Sequence, residues 1–342
     1  MPPLQTASAE NFRQKHVSKN LSTQKNFSGL KFDIIGDVHG QADRLEALLR
    51  KMGYYRAGGT WQHTERTAIF VGDIIDRGRD NQLKTLRIVR QMCDAGNAKI
   101  VLGNHEFNAV AFATVDPSKL DYCRPHTSQN RKQHREFLEE LTFNSPLHRS
   151  TIDWFQTIPL WIDLNSNLRV VHACWDTASV DHLKVTLDDS NSLTEQAIID
   201  GTTAGHQTFA AIETILKGPE VPLSGHWYFD KSGKKRFKAR VAWWDRNART
   251  IRDGTVIANN TQIYNAAGER VQNLPDIKLP MGNRPYTETV PVIFGHYWNS
   301  GKPQREGPAT VCVDYSAGSG GPLAAYRWDG EQELVTEHIE VC

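Results

Sequence analysis

Along the chain, short β-rich apolar runs alternate with segments whose apolar residues recur every three to four positions. The run "LKFDII" breaks into a polar, glycine-bounded loop, "GDVHG" at 36–40. "ADRLEALLRKMG" follows at 42–53, where Leu45, Leu48 and Leu49 share one helical face and Gly53 offers a stop. The order then repeats. "TAIFVGDIIDRG" (67–78) predicts a strand into a loop, and "DNQLKTLRIVRQMCDAG" (80–96) an amphipathic helix from Asp80 to Gly96. "AKIVLGNHEFN" (98–108) predicts another strand into another polar loop. Successive strand–loop–helix units imply an α/β fold with a parallel sheet. Their loops then lie at the carboxyl ends of the strands, the edge where such sheets bind ligands.

Residues 129–149 are charged and helical in pattern, and "DWFQTIPLWIDL" (153–164) reads as an apolar packing segment. "NLRVVHACWD" (167–176) predicts a strand that ends in a histidine. From about 177 to 288 the rhythm is lost. That stretch predicts helices at 193–200 and 205–217, and a hairpin within 225–244 that turns at Ser232-Gly233. It reads as an insertion or cap. The core resumes at "VPVIFGHYW", and "ATVCVDYSAGSGG", "LAAYRWDG" and "QELVTEHIEV" supply closing strands. The expected organisation is a polar tail at 1–29 and one domain at 30–342 that carries the insertion.

Composition removes several function classes. The formal net charge is +1, so no global field draws the chain to nucleic acid or a membrane surface. No apolar run approaches the roughly 18–20 residues of a membrane span. The five cysteines are scattered and never form a CxxC pair, which argues against a disulfide framework or thiolate zinc site and fits a reducing, cytoplasmic compartment. The basic run "KKRFKAR" (234–240) beside Trp243 and Trp244 reads first as the solvated face of a hairpin.

The candidate chemistry sits at the strand ends. Asp37 and His39 lie in "GDVHG", Asp73 and Asp76 in "GDIIDRG", Asn104 and His105 in "GNHE", and His172 in "VVHA". His296 in "IFGH" makes a fifth strand end with a polar ligand type. Carboxylate, imidazole and amide oxygen without thiolate describe a site for hard-to-borderline divalent metals. "PLSGHWYFD" (222–230) offers His226 as a near copy of the His296 context, but its two neighbouring prolines, Pro219 and Pro222, argue against a central strand there.

"GDVHG", "GDIIDRG" and "GNHE" resemble the three signature motifs of the calcineurin-like metallophosphoesterases. The match is to their phosphoprotein-phosphatase branch, which includes Ser/Thr protein phosphatases and symmetrical diadenosine-tetraphosphate hydrolases. The resemblance covers about 30–176 and 289–330, and its closing segment looks like the bacterial type. It implies a β-sandwich flanked by helices and a site for two divalent ions, manganese first, with iron, zinc, nickel or magnesium as alternatives. Asp37 and His39 would hold one ion, Asp73 would bridge, and Asn104, His172 and His296 would hold the other. Hydroxide generated between the ions would attack phosphorus in line, with His105 as general acid and Asp76 fixing its tautomer. Arg77 and Asn104 would contact the phosphate; Arg240 is a further substrate-binding candidate by position alone.

One departure narrows the branch. Where phosphodiesterases of the superfamily carry a second histidine two residues on, this chain has Trp298. With "DRG" at 76–78, that favours phosphomonoesters or terminal anhydrides. The expected substrate is a phosphorylated small molecule or phosphoprotein, with a dinucleoside polyphosphate as the enzymatic alternative. A silent phospho-ligand binding module is the non-enzymatic alternative.

Overall fold

Residue alternation in the central strands sorts side chains into two cores. In β1 (Lys31–Ile35), Phe32 and Ile34 enter a core between two sheets, whereas Ile35 joins a second core beneath the helices. β2 (Arg66–Phe70) does the same, with Ile69 between the sheets and Ala68 and Phe70 beneath the helices. A strand buried on both faces must be apolar throughout, which is why these segments read as runs. The exception is Asp33 in β1, fully buried and held by Arg66 at 2.7 Å and Arg327 at 3.2 Å. This computed structural model describes residues 31–342 apart from Asp80, 231–232, 259–260 and 281–284. The expected tail, helix start at Asp80 and turn residue Ser232 therefore lie outside the described residues.

The remaining sandwich strands are β3 (Ala98–Ile100), β4 (Trp161–Asp163), β5 (Arg169–Val171), β6 (Val292–Phe294), β7 (Thr310–Cys312), β8 (Ala324–Trp328) and β9 (Ile339–Val341). One sheet runs β9-β8-β1-β2-β3 and the other β7-β6-β5-β4. β1, β2 and β3 are parallel, with Ile34 opposite Ile69, and β5, β6 and β7 are parallel in the second sheet. β4, β8 and β9 pair antiparallel. Ile293 and Val170 meet Val311, Ile34 and Tyr326 in the core between the sheets. The observed fold thus has the parallel α/β strands expected from the strand–loop–helix rhythm and the helix-flanked sandwich that the resemblance implied.

Helix α1 (Ala42–Lys51) buries Leu45, Leu48 and Leu49, and α2 (Gln82–Asp94) buries Leu86, Val89 and Met92. α3 (Asn104–Ala113) is buried along most of its length. The helical pattern at 129–149 divides into Ser128–Gln133, Arg135–Leu141 and the start of Pro146–Gln156. The last break follows from local chemistry: Asn144 turns with φ 62°, Ser145 caps the His148 N–H, and Pro146 opens the helix. Two helices, Thr177–Leu183 and the single turn Ile251–Gly254, arise where the pattern predicted none; Asp176 caps the first by accepting from the Ser179 N–H at 2.8 Å.

Within the irregular stretch, helices Glu195–Gly201 and Gln207–Lys217 fall close to their predicted spans. Two small sheets follow. One pairs Glu220–Pro222, Lys238–Val241 and Thr255–Val256, and the other includes Trp227–Phe229 and Ile263–Tyr264. Leu223, Ala239, Ile251 and Leu274 form their own small core. Trp243 ties this segment to the sandwich through its indole N–H on the Ala173 carbonyl at 3.0 Å. No helix of the described residues is long and apolar enough to cross a membrane.

His148 yields a pH prediction. It is buried beside Phe143 and Phe137, with neither ring nitrogen hydrogen-bonded among the described residues. Burial pushes its pKa down to about 4, against about 6.5 in an unfolded chain. Folding therefore excludes a proton: this contribution is complete above pH ~6.5 and is lost as pH falls toward 4. A His148→Leu variant should narrow the stability difference between pH 7 and pH 5 by on the order of 1 kcal/mol, read from urea unfolding midpoints.

Candidate functional site

Each parallel strand ends at one rim of the sandwich, and its next residues form the site. β1 leads to Asp37 and His39, β2 to Asp73 and Asp76, and β3 to Asn104 and His105 at the start of α3. From the second sheet, β5 leads to His172 and β6 to His296. These loops are bent in ways L-residues rarely adopt: His39, Asp73, Asp76, Arg77 and His296 all have φ between 48° and 69°. Such left-handed residues cost about 1–3 kcal/mol each and persist only when the surroundings fix them.

Glu106 is a large part of that fixing. Its fully buried carboxylate accepts the backbone N–H groups of Asp73 (2.8 Å), Ile74 (2.9 Å), Ile75 (3.3 Å) and Gly103 (3.1 Å). The loops after β2 and β3 are thereby pinned to each other. Contact is close enough that a Cβ on Gly103 would lie 2.2 Å from the Asp73 nitrogen, so glycine is required there. Burial and the neighbouring Asp73 push the Glu106 pKa up to about 7.

Asp73 is the hub. Its Oδ2 lies 3.6 Å from His39 Nε2 and 3.9 Å from His105 Nε2, and its Oδ1 lies 3.4 Å from His172 Nε2. The imidazoles are oriented from behind. His39 Nδ1 donates to the Ile75 carbonyl at 2.9 Å and His172 Nδ1 to that of Val71 at 2.8 Å, which turns each Nε2 toward Asp73. His172 Nε2 also approaches the Asn104 Oδ1 at 3.1 Å and His296 Nδ1 at 3.2 Å. Asp37 accepts from the His296 N–H at 3.2 Å, across a gap that a Cβ on Gly295 would fill.

The electrostatics sort these groups by charge. Burial pushes the pKa of His39 down to about 3, and burial also lowers His172 and His296, the latter helped by Arg240. All three are held as neutral donors. Burial alone would raise Asp73, but His172, His105 and His39 pull it below the usual carboxylate range. Asp37 is pushed well up, by burial first and then by the charges of Asp314 and Asp73. Asp314 is a site residue that the motif reading did not find. It follows β7, is buried, and accepts the N–H groups of Trp298 and Ser316 at 3.0 and 2.8 Å.

Two groups could hold cations: His39, Asp73 and His105, and Asp73, His172 and His296, with donor atoms within 4.8 Å of one another in each group. Asp73 belongs to both. With its Nδ1 donating to the Val71 carbonyl, His172 presents a bare Nε2 that faces Asn104 Oδ1, Asp73 Oδ1 and His296 Nδ1 within 3.1–3.4 Å, so acceptors converge there with no proton between them. A cation offers that set the partner it lacks, so the residues fit divalent metal. His226 is elsewhere: its Nδ1 faces the Ser224 carbonyl at 3.4 Å, outside both groups.

Around this centre, His105 Nδ1 donates to Asp76 Oδ2 at 2.6 Å, and the Asp76 N–H donates to Gln82 Oε1 at 2.8 Å. Burial would lower His105, but Asp73 and the bond to Asp76 raise it. A second imidazole, His134, reaches Asp76 Oδ1 at 3.0 Å. Arg77 is exposed beside Gly318, where a Cβ would lie 2.9 Å from its Cδ. Arg240, on the strand Lys238–Val241, lies 4.1 Å over the Trp298 ring. Arg124 is half-buried and donates to Asn108 Oδ1 at 2.9 Å and Gln133 Oε1 at 2.7 Å.

Comparison with known proteins gives the same affiliation. Bis(5'-nucleosyl)-tetraphosphatase PrpE [asymmetrical] of Oceanobacillus iheyensis is 35% identical over 146 residues, covering 42% of this chain and 56% of that protein. The chain thus spans about half the length of this relative. A symmetrical bis(5'-nucleosyl)-tetraphosphatase of Ralstonia nicotianae is 26% identical over 300 residues, covering 86% and 87%. Among solved structures, a serine/threonine phosphatase from Saccharomyces cerevisiae is similar, with a TM-score of 0.48, 16% identity and 93% and 81% coverage. The family model described as calcineurin-like phosphoesterase matches residues 30–246, and the chain belongs to that family.

Proposed function

We propose that the protein is a metal-dependent phosphatase that hydrolyses phosphomonoesters, with His105 as the proton donor. The observation that carries this reading is the joint placement of His105 and the metal-fitting groups. His105 Nδ1 is fixed on Asp76 at 2.6 Å while its Nε2 faces Asp73, the residue shared by both groups. Asp37, His39, Asp73, Asn104, His172 and His296 would hold two divalent ions, manganese being the first choice. When bound, such ions lower the pKa of water and neutralise phosphoryl oxygens. The remaining work belongs to the chain. Asp76 keeps the proton on the far side of His105, so its Nε2 can deliver one to the departing oxygen. Asn104 and Arg77 flank the phosphoryl group, and Arg77 offers the planar fork of donors that lysine lacks.

Arg124 and Arg240 favour a second reading, hydrolysis of a dinucleoside polyphosphate, the substrate class named for the sequence relatives. The buried arginines of the scaffold are neutralised: Arg66 meets Asp33 and Asp329, and Arg169 meets Asp163 and Glu288. Arg124 donates to amide oxygens and Arg240 lies against aromatic rings across the strand from Glu220, and neither forms a close ion pair among the described residues. Asn108, which holds Arg124, lies one turn along α3 from Asn104 and His105. Guanidinium groups outside any close ion pair near a phosphate site suit a chain of phosphates better than a single one.

The readings are tested with Mn²⁺ on p-nitrophenyl phosphate, phosphoserine and phosphotyrosine peptides, and diadenosine tetraphosphate. Absence of turnover with every divalent metal would refute both. His105→Asn should lower kcat by about 10²–10⁴-fold, with metal content by mass spectrometry unchanged; loss of metal would mark it as a ligand. His296→Ala should lose one equivalent of metal, whereas His226→Ala should retain the wild-type content. Arg124→Leu should lower the ratio of kcat/KM for diadenosine tetraphosphate to that for p-nitrophenyl phosphate by about tenfold. An unchanged ratio removes the argument for a polyphosphate.

A further inference from the structure

We propose that His134 is a positioning residue for the reaction: it locks the Asp76 carboxylate and, through it, the imidazole of His105. This rests on the reading of His105 as general acid. Asp76 is shared. Its Oδ2 receives His105 Nδ1 at 2.6 Å, and its Oδ1 receives His134 Nδ1 at 3.0 Å, with the second oxygen 3.3 Å from the same nitrogen. An ionised carboxylate only accepts, so both imidazoles present an N–H at Nδ1. The field of His134, with the bonds to both imidazoles, overcomes burial and keeps the Asp76 pKa below the usual range.

The rest of His134 is built to stay where it is. It lies at the junction of helices Ser128–Gln133 and Arg135–Leu141, is buried, and stacks on Phe137 at 4.6 Å between ring centroids. Phe112 of α3 closes the other side at 5.7 Å. Its Nε2 has no partner among the described residues, so Nδ1 and Asp76 are its whole hydrogen-bonding function. The Asp76 backbone is independently held by Gln82. What His134 adds is a restraint on the terminal carboxyl torsion, which is otherwise broad. Freed of that restraint, Asp76 could rotate and let His105 swing, and an ångström of displacement at a reacting group is costly.

A core histidine satisfied by a core carboxylate is ordinary, so the test must separate positioning from packing. A well-placed proton donor matters most for a poor leaving group and least for p-nitrophenolate. The experiment compares kcat on p-nitrophenyl phosphate and on glycerol phosphate, with Mn²⁺, for wild type, His134→Phe, His134→Asn and His105→Asn. His134→Phe should lose about tenfold more activity on glycerol phosphate than on p-nitrophenyl phosphate. His134→Asn, whose amide N–H falls near the Nδ1 position, should recover most of that selective loss. Equal losses on both substrates, or none, would overturn the proposal. If the phenylalanine variant melts early, His134→Gln, which places its donor near Nε2 instead, should show the same selective loss relative to His134→Asn. His105→Asn reads the underlying assumption. Selective loss there without it in the His134 variants overturns the positioning role alone, and no selective loss in any variant overturns the acid role as well.

Discussion

One buried carboxylate determines whether there is a site. Glu106 gathers N–H groups from two loops that arise from different strands, and no water is needed to satisfy them. A carboxylate enclosed by apolar surroundings is costly unless its lone pairs are filled, and here backbone amides fill them. The arrangement is reciprocal. The left-handed turn at Asp73 exposes the amides that Glu106 needs, and Glu106 supplies the bonds that make that turn tolerable. The hub aspartate and the helix carrying Asn104 and His105 inherit their positions from this knot.

Around the knot, burial is used twice with opposite consequences. It keeps His39, His172 and His296 unprotonated, the form in which imidazole can donate a lone pair. It also concentrates Asp37, Asp73 and Asp314 in one low-dielectric volume, where burial first, and then the neighbouring carboxylates, raise Asp37 and Asp314. The cluster is therefore matched in charge to something positive, and the scaffold's own buried cations, Arg66 and Arg169, are occupied elsewhere.

Most of this was legible in the sequence because parallel strands turn the order of the chain into the order of loops along a rim. Asp37, Asp73, Asn104, His172 and His296 each follow a short apolar run, and that offset from a strand end is a pattern that can be read. Asp314 carries the same signal after "TVCV", but its neighbours "YSAGSGG" lie in the closing segment, outside the three signature motifs. His134 and Arg124 had no such signal. They sit within or beside a charged helical stretch, "RPHTSQNRKQHREF", and reach the site only because that stretch packs against α3. The missed helix at Thr177–Leu183 failed for a local reason: its length gives barely two turns of periodicity, too few to separate from an irregular segment.

The strand that carries Arg240 has a further meaning. It belongs to the small sheets of the irregular segment, yet its neighbour Val241 is bound through its carbonyl to the Tyr297 hydroxyl at 3.1 Å, beside His296. The metal-fitting groups are supplied by the sandwich, whereas Arg240, lying over the Trp298 ring, is supplied by a segment with its own core. Under the proposed function, the reacting groups and the candidate phosphate contact Arg240 thus belong to separately packed parts of one chain. On that reading, substitutions in the small sheets can change what surrounds Arg240 and Trp298 while leaving the strand-end loops untouched.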